Sequence, residues 1–139
     1  MAYKGIVLRA YPTDAQRQKI EQTFGCCRLV YNQRLAKRKE LNDFSFRKPS
    51  YATLDYYSTD YPFLADVDRN ALLASLQDQE KAITAFHNDT DAEPKFKSKR
   101  NHRQTYRTWG VTVKQDQTKT WVNLPVVGNV RARGFYGTY

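Results

Sequence analysis

The sequence predicts an α+β protein in which a helical region is inserted between one N-terminal strand and a group of C-terminal strands. Apolar residues recur every three or four positions over residues 14–42 and 68–88, the spacing of one helix face. Short runs rich in β-branched residues precede the first helix and follow residue 110, which favours strands. No apolar run approaches the roughly 20 residues that span a bilayer. We therefore expect a soluble chain of 139 residues, the size of one ordinary domain.

The first helix has the clearest start signal. Thr13 is followed three residues later by Gln16, as in a capping box, so a strand at 4–10 is expected to lead into a helix over 14–42. The residues that share its apolar face are Ile20, Phe24, Cys27, Tyr31 and Leu35. Phe24 and Tyr31 are predicted to be buried against the second helix. Gly25 indicates a close helix contact or a bend, because glycine is costly inside a helix.

The remaining elements follow in order along the chain. Ser50 is expected to begin a short helix that ends near Tyr57, and Tyr61 and Pro62 mark a turn. The second long helix, over 68–88, has an apolar face of Leu72, Leu76, Ile83 and Phe86. A polar connector at 88–94 leads to a basic run. Strands are then expected at 111–114, 120–123 and 130–133, with a turn at 115–119.

Charge is strongly segregated along the chain. The total is +9, made up of +7 over residues 1–50, −7 over 51–93 and +9 over 94–139. This distribution is typical of a protein whose two basic ends meet a polyanion. We expect the acidic middle to point away from phosphates, or towards a protein partner.

Four stretches resemble one known family in the family's own order. They are YPT and FGCCRLVYN at 11–13 and 24–32, YPFL and NALLASLQDQEKAITAF at 61–64 and 70–86, PKFKSKRNHRQTYRT at 94–108, and VNLPVVGNVRAR at 122–133. The pattern resembles the N-terminal part of TnpB (OrfB) proteins, the transposon-encoded relatives of compact type V CRISPR effectors. The resemblance implies a partial β-barrel wedge domain that encloses a helical recognition region. It assigns residues 1–12 to the first wedge strand, 13–93 to the recognition region, and 94–139 to the basic segment and remaining wedge strands.

The resemblance also implies what full-length members do. They are RNA-guided DNA endonucleases with a RuvC-like nuclease and a zinc ribbon built from paired CxxC motifs. Neither part occurs in these 139 residues, and the adjacent Cys26 and Cys27 diverge by roughly 100° on a helix, so they cannot act as a CxxC pair. We therefore expect no metal site, no cofactor and no catalysis on this chain alone. Two cysteines in a lysine-rich chain without a signal peptide favour a reducing prokaryotic cytoplasm, with nucleoid association when bound.

The basic run carries most of the expected binding chemistry. Residues 94–115 hold seven lysines and arginines and no acidic residue, interleaved with aromatic side chains that can stack on bases. Predicted backbone contacts are Lys95, Lys97, Lys99, Arg100, Arg103 and Arg107, together with Arg28, Arg34, Lys37 and Arg38 on the solvent side of the first helix. If the run is extended, its alternating lysines share one side, and Phe96 becomes a core anchor.

Base contacts are predicted from polar and aromatic side chains, since amides can bond adenine and lysine can bond guanine. The candidates are Asn70, Ser75, Gln77, Lys81, Tyr106 and Trp109. The expected partners are guide RNA, target DNA with a short flanking motif, and a separate RuvC-like nuclease portion, without a membrane. Two alternatives remain open. One is a stand-alone transposon-derived DNA-binding protein or repressor, and the other is a protein-interaction module.

Overall fold

A computed structural model describes residues 5–88, 92–100 and 104–133. The described elements are three α-helices, one 3-10 helix and a four-stranded antiparallel sheet, which confirms the predicted α+β class. In chain order they are β1 Arg9–Tyr11, α1 Asp14–Leu41, α2 Tyr51–Asp60, the 3-10 helix Pro62–Asp66, α3 Arg69–His87, β2 Thr112–Asp116, β3 Lys119–Leu124 and β4 Gly128–Arg133.

The chain divides into two compact units. A sheet unit combines residues 1–20 with 110–139, and a helical unit comprises residues 21–109. The long helix α1 contributes its first turns to the sheet unit and the rest to the helical unit. The predicted boundaries after residues 12 and 93 stay predictions.

The start of α1 is fixed by its local sequence. The Thr13 backbone N–H donates to Gln16 Oε1 at 3.0 Å, and the Gln16 N–H donates to Thr13 Oγ1 at 3.2 Å, which confirms the capping box. Gln16 Nε2 also donates to the Asn129 carbonyl of β4 at 2.7 Å. The same side chain therefore caps the helix and ties its first turn to the sheet.

The core of the helical unit forms where α1 packs on α3. Val30, Leu35, Leu72, Leu76 and Ile83 are each at most 1% exposed. Full burial of one such side chain contributes about 1.5–3 kcal/mol. The predicted packing of the two long helices is therefore confirmed. Leu54 of α2 and Leu64 of the 3-10 helix pack in one cluster with Val30, Leu72 and Leu76, together with Val67, Ala71 and Leu73.

Three expectations about packing side chains are wrong. Phe24 is only half-buried, because its ring packs edge-on against Tyr106, with centroids 5.6 Å apart, at the rim of the core. A Cβ added at Gly25 would meet only the Arg28 guanidinium at 3.7 Å, an ordinary contact, so the predicted close helix contact is wrong, and the alternative of a bend at this glycine stays a prediction. Phe96 is 51% exposed, with Lys39 Nζ 5.0 Å from its ring centroid, and does not anchor a core.

The sheet has the strand order β1-β4-β3-β2, with every neighbouring pair antiparallel. The β2–β3 hairpin is tighter than predicted, because pairing of Asp116 with Lys119 leaves a two-residue turn in which Gln117 has a φ of 47°. Val130 and Ala132 of β4 are buried on one face of the sheet. In the described ranges, every helix is too short or too polar to cross a membrane.

Candidate nucleic-acid interface

A cleft of about 300 Å³ opens in the helical unit between α1, α3 and the basic segment that follows residue 94. Its lining residues are Phe24, Cys27, Arg28, Ala71, Ser75, Asp78, Lys97, Gln104, Thr105, Tyr106 and Arg107. Five of these were predicted as nucleic-acid contacts from the sequence: Arg28, Ser75, Lys97, Tyr106 and Arg107. The structure therefore brings residues from three separate stretches to one place, which we call the helical cleft.

The basic segment is attached to α1 by an amide clamp. Asn32 Nδ2 donates to the Lys97 carbonyl, and the Lys97 N–H donates to Asn32 Oδ1, both at 2.8 Å. The Lys97 side chain turns inward, with Nζ 4.2 Å from the ring centroid of Tyr31. Burial lowers the pKa of Lys97, while the nearby Asp78 carboxylate opposes that shift. Lys97 is thus a half-buried cation held against an aromatic ring.

The walls of the helical cleft are cross-linked by arginines. Arg28 Nη1 donates to Gln104 Oε1 at 2.7 Å. Arg107 Nη2 donates to Asp78 Oδ1 at 2.9 Å and also reaches the Ala74 carbonyl at 3.4 Å. Both partners of the Arg107–Asp78 ion pair are about half exposed, so solvent screens it and a phosphate can compete for the guanidinium. The cleft keeps a positive excess of charge after this pairing.

The exposed cations lie beside this cleft on the same segment. Lys95, Lys99 and Arg100 are all exposed, but Lys97 is half-buried and Phe96 and Ser98 are exposed, so the predicted alternation of an outward lysine side and an inward side is wrong. Lys37 of α1 is exposed and 3.9 Å from Glu40, and Lys81 of α3 is exposed. The predicted contact Arg103 lies outside the described residues.

The prediction that Arg34 and Arg38 face solvent is wrong. They are 9% and 6% exposed, and both guanidinium groups bond Glu80 of α3, which is itself 3% exposed. The same carboxylate accepts the Arg47 N–H at 2.7 Å, while Arg38 donates to Gln79 Oε1 at 3.1 Å. A buried charge needs such partners because desolvation is expensive. The sequence feature that could have predicted this burial is Glu80, which lies four residues after Leu76 on the apolar face of α3. A carboxylate buried on that face requires a buried cation as its partner.

Several predicted base contacts already have partners inside the helical unit. Asn70 Oδ1 accepts from the Tyr51 hydroxyl at 2.7 Å, and Ser75 Oγ donates to the Cys27 carbonyl at 3.0 Å. Tyr106 is half-buried against Phe24. Gln77 is half-buried, Lys81 is exposed, and Trp109 is 38% exposed. Trp109 and Lys81 are therefore the most accessible of the predicted base contacts, and the assignment of each stays a prediction.

Four carboxylates of the acidic middle form ion pairs among the residues that the structure describes, and the expectation that this region points away from phosphates or meets a protein partner stays a prediction. Asp55 bonds Arg69 at 3.0 Å, Asp78 bonds Arg107, and Glu93 lies 3.9 Å from Lys39. Glu80 takes the two buried arginines of α1. Acidic side chains of residues 51–93 are thus partly neutralised by basic side chains of the helical unit. The exposed cations of the basic segment account for the remaining positive charge of this unit.

The thiols have the environment of packing residues. Cys26 and Cys27 are free and buried. Burial raises the pKa of Cys27 to about 12, which keeps the thiol protonated, and burial also raises the pKa of Cys26. Cys27 Sγ lies 3.5 Å from the Ala71 carbonyl at the contact between α1 and α3. No group of three or more His, Cys, Asp or Glu side chains suited to a metal ion occurs in the part of the chain that the structure describes.

Comparison with known proteins adds three matches. Residues 1–42 match a family described as a helix-turn-helix domain, of the OrfB/IS605 type. A Streptomyces pristinaespiralis protein named "Putative RNA-guided DNA endonuclease" is 33% identical over 101 residues, 68% of this chain and 25% of that protein. The Escherichia coli (strain K12) protein named "Putative RNA-guided DNA endonuclease InsQ" is 29% identical over 128 residues, 88% of this chain and 31% of that protein. The chain spans about a quarter to a third of the length of these curated relatives.

Proposed function

This chain resembles the N-terminal part of TnpB/OrfB proteins, as its motifs predicted, and from that premise we propose that it binds guide RNA and target DNA. The helical cleft and the exposed cations beside it are the proposed contact surface. In this proposal the chain supplies binding and positioning, and cleavage is carried out by residues other than these 139.

One observation carries the proposal. Arg28, Lys97 and Arg107 converge on a cleft whose only lining carboxylate, Asp78, is already paired, and Lys95, Lys99 and Arg100 are exposed on the adjoining segment. Phosphates are attracted to such a concentration of cations, and their binding releases counterions. The half-buried Phe24 and Tyr106 add an aromatic wall that an unpaired base can approach. A cleft lined by cations and aromatic rings is better suited to a ligand with phosphates and bases than to a protein partner.

The carboxylates of α3 support a binding role over a catalytic one. Two-metal cleavage needs carboxylates that share ions about 4 Å apart. Asp78 is occupied by Arg107, whereas Glu80 is buried between Arg34 and Arg38. These two carboxylates serve different ion pairs, so they are poorly placed to share a metal ion.

The test is the salt dependence of binding to a structured RNA and to a DNA duplex. Replacement of Lys95, Lys99 and Arg100 by alanine should reduce the slope of log K against log salt by about two to three units, because each phosphate contact contributes about 0.7 to 0.9. A matched control replaces Arg17, Lys19 and Lys48, which are also exposed, and should leave the slope unchanged.

Two outcomes would contradict this assignment. An equal loss of slope in the two triple variants would mean that the attraction is a general effect of net charge, with no defined surface. Tight binding to one duplex in the absence of RNA, insensitive to the basic segment, would favour the stand-alone DNA-binding protein instead.

A further inference from the structure

A second cavity of about 300 Å³ lies in the helical unit, between the C-terminal half of α1, the loop that follows it and α2. It shares no lining residue with the helical cleft. Its lining combines four cations, one carboxylate and two apolar or aromatic side chains, namely Arg34, Lys37, Arg38, Leu41, Asp43, Arg47 and Tyr57. We call this cavity the arginine pocket.

The buried part of the lining is held in place by hydrogen bonds. Glu80 bonds the guanidinium groups of Arg34 and Arg38. Arg38 Nη1 also donates to the Ser45 carbonyl at 2.7 Å, and Arg34 Nη2 donates to the Arg47 carbonyl at 2.8 Å. The loop after α1 is therefore fastened to the two arginines, and the pocket has its shape without a ligand. Such preorganisation lowers the cost of binding.

One buried donor of this pocket lacks a partner. Arg34 Nε has no hydrogen-bond partner in the described ranges, although its side chain is only 10% exposed. Most buried polar groups in folded proteins are hydrogen-bonded, because an unpaired one loses its bonds to water without replacement. An acceptor on a bound ligand would supply the missing bond.

The exposed part of the lining holds two cations that an anion can recruit. The side chains of Lys37 and Arg47 are 58% and 70% exposed. Lys37 Nζ lies 3.9 Å from Glu40, and Arg47 Nη2 lies 2.9 Å from Asp43 Oδ2. Solvent screens exposed pairs of this kind, so each contributes little and a phosphate can compete for the cation.

The charge and the apolar wall together define the ligand. With Glu80 included, the four cations of the lining face two carboxylates, Asp43 and Glu80, which leaves an excess of two positive charges. Leu41 is 59% exposed, and Tyr57 is half-buried against the core. Burial raises the pKa of Tyr57, so its hydroxyl stays a donor at neutral pH. The pocket therefore suits a doubly charged anion with an apolar or aromatic body.

We propose that the arginine pocket binds a small phosphate monoester of the size of a nucleoside monophosphate. The phosphate accepts hydrogen bonds from Arg34 Nε, Lys37 and Arg47, while the body of the ligand lies against Leu41 and Tyr57. A monoester carries about −1.5 to −2 charges at neutral pH, whereas each phosphodiester of a nucleic acid carries one, so the excess of positive charge favours the monoester. This site does not depend on the proposed binding of RNA and DNA.

The experiment is isothermal titration calorimetry of the whole chain with adenosine 5′-monophosphate in a phosphate-free buffer. The monoester should bind at least about 10-fold more tightly than its methyl diester, which has the same body and one charge less, and adenosine should give no heat. Lys37→Gln and Arg47→Gln should each weaken binding about 10-fold, as expected for loss of one charge-assisted hydrogen bond. Equal affinity for the monoester and the diester would overturn the assignment.

The control for the surface variants is Lys48→Gln, which removes an exposed charge next to Arg47 from outside the lining and should leave the affinity unchanged. An equal loss in all three variants would overturn the proposal, because the attraction would then be a general effect of net charge. Arg34→Lys keeps the charge and removes Nε, so it should also weaken binding about 10-fold. If this buried variant fails to fold by circular dichroism, the two surface variants still decide the result.

Two further arms separate this site from the helical cleft. Binding of the mononucleotide should survive replacement of Lys95, Lys99 and Arg100 by alanine, and its loss there would place the ligand on the basic segment and overturn the proposal. A chain that retards structured RNA but gives no heat with the mononucleotide would overturn this inference and leave the proposed function standing. Specific mononucleotide binding by a chain that retards neither RNA nor DNA would support this inference and overturn the proposed function.

Discussion

Glu80 is the residue on which the buried charge of the helical unit depends. It accepts hydrogen bonds from Arg34, Arg38 and the Arg47 backbone, and Arg34 in turn donates to the Arg47 carbonyl at 2.8 Å. One carboxylate therefore holds two cations of α1 and the loop that precedes α2. Two buried guanidinium groups around one carboxylate already carry a net positive charge. Removal of the Glu80 charge would therefore leave both cations buried without a counter-ion and destabilise the fold.

The replacement Glu80→Gln tests this dependence. It keeps the size of the side chain and removes its charge, so two cations remain buried without a counter-ion, and we expect a loss of about 3–5 kcal/mol in the free energy of unfolding. Urea denaturation followed by circular dichroism measures the change. Glu40→Gln is the control, because Glu40 and its partner Lys37 are both exposed and such pairs contribute about 0–1 kcal/mol. Equal losses in the two variants would refute the role assigned to Glu80.

At the scale of elements, α1 is the helix that contributes residues to both units, and it supplies Phe24, Cys27 and Arg28 to the helical cleft. Its capping box fixes the first turn, and its inner side contacts α3 through Cys27, Tyr31 and the buried arginines. The Tyr31 carbonyl accepts from Gln79 Nε2 at 2.8 Å, so even the polar contacts of this helix pair are internal. Gly25 is the weak position, since glycine costs about 1 kcal/mol relative to alanine in a helix.

The replacement Gly25→Ala should stabilise the chain by about 0.5–1 kcal/mol. The nearest side-chain atom to the added Cβ is Arg28 Nη2 at 3.7 Å, so the methyl group fits and the unfolded chain loses entropy. A rise in the thermal midpoint, with unchanged helical content, is the expected measurement. A lower midpoint would show that α1 requires the glycine, for example at a bend of the helix.

At the scale of the whole chain, basic side chains and aromatic rings meet in the helical cleft, and several acidic groups are paired internally. In the sheet unit, the Arg131 guanidinium likewise lies 5.1 Å from the Trp121 ring centroid. Asp55, Asp78 and Glu80 of the acidic middle each pair with an arginine of the helical unit. Such an arrangement suits binding to a polyanion over an extended path.

Binding without cleavage is the expectation for the purified chain. With Mg²⁺ or Mn²⁺ it should leave single-stranded DNA, duplex DNA and RNA intact, while retarding structured RNA on a gel, because Asp78 and Glu80 are committed to arginines. Electrophoresis of end-labelled substrates after extended incubation measures this. Metal-dependent cleavage that survives repeated purification and disappears in Asp78→Asn would contradict the expectation and identify an active site on α3.

The sequence by itself determined the class of the fold, the order of its elements and the family resemblance, because these depend on local signals. Helical periodicity, the Thr13–Gln16 capping box and the β-branched runs act over a few residues. The predicted α1, α3, β2, β3 and β4 lie within about two residues of their observed bounds, whereas the strand predicted at 4–10 is wrong in position and lies at Arg9–Tyr11. Only the tertiary structure decided which cations are available. Arg34 and Arg38 became interior residues because α3 presents Glu80 to them from more than 40 positions away. Tyr11 likewise lies beside Arg131 only because strand pairing joins β1 to β4 across about 120 positions, and no local pattern encodes that register.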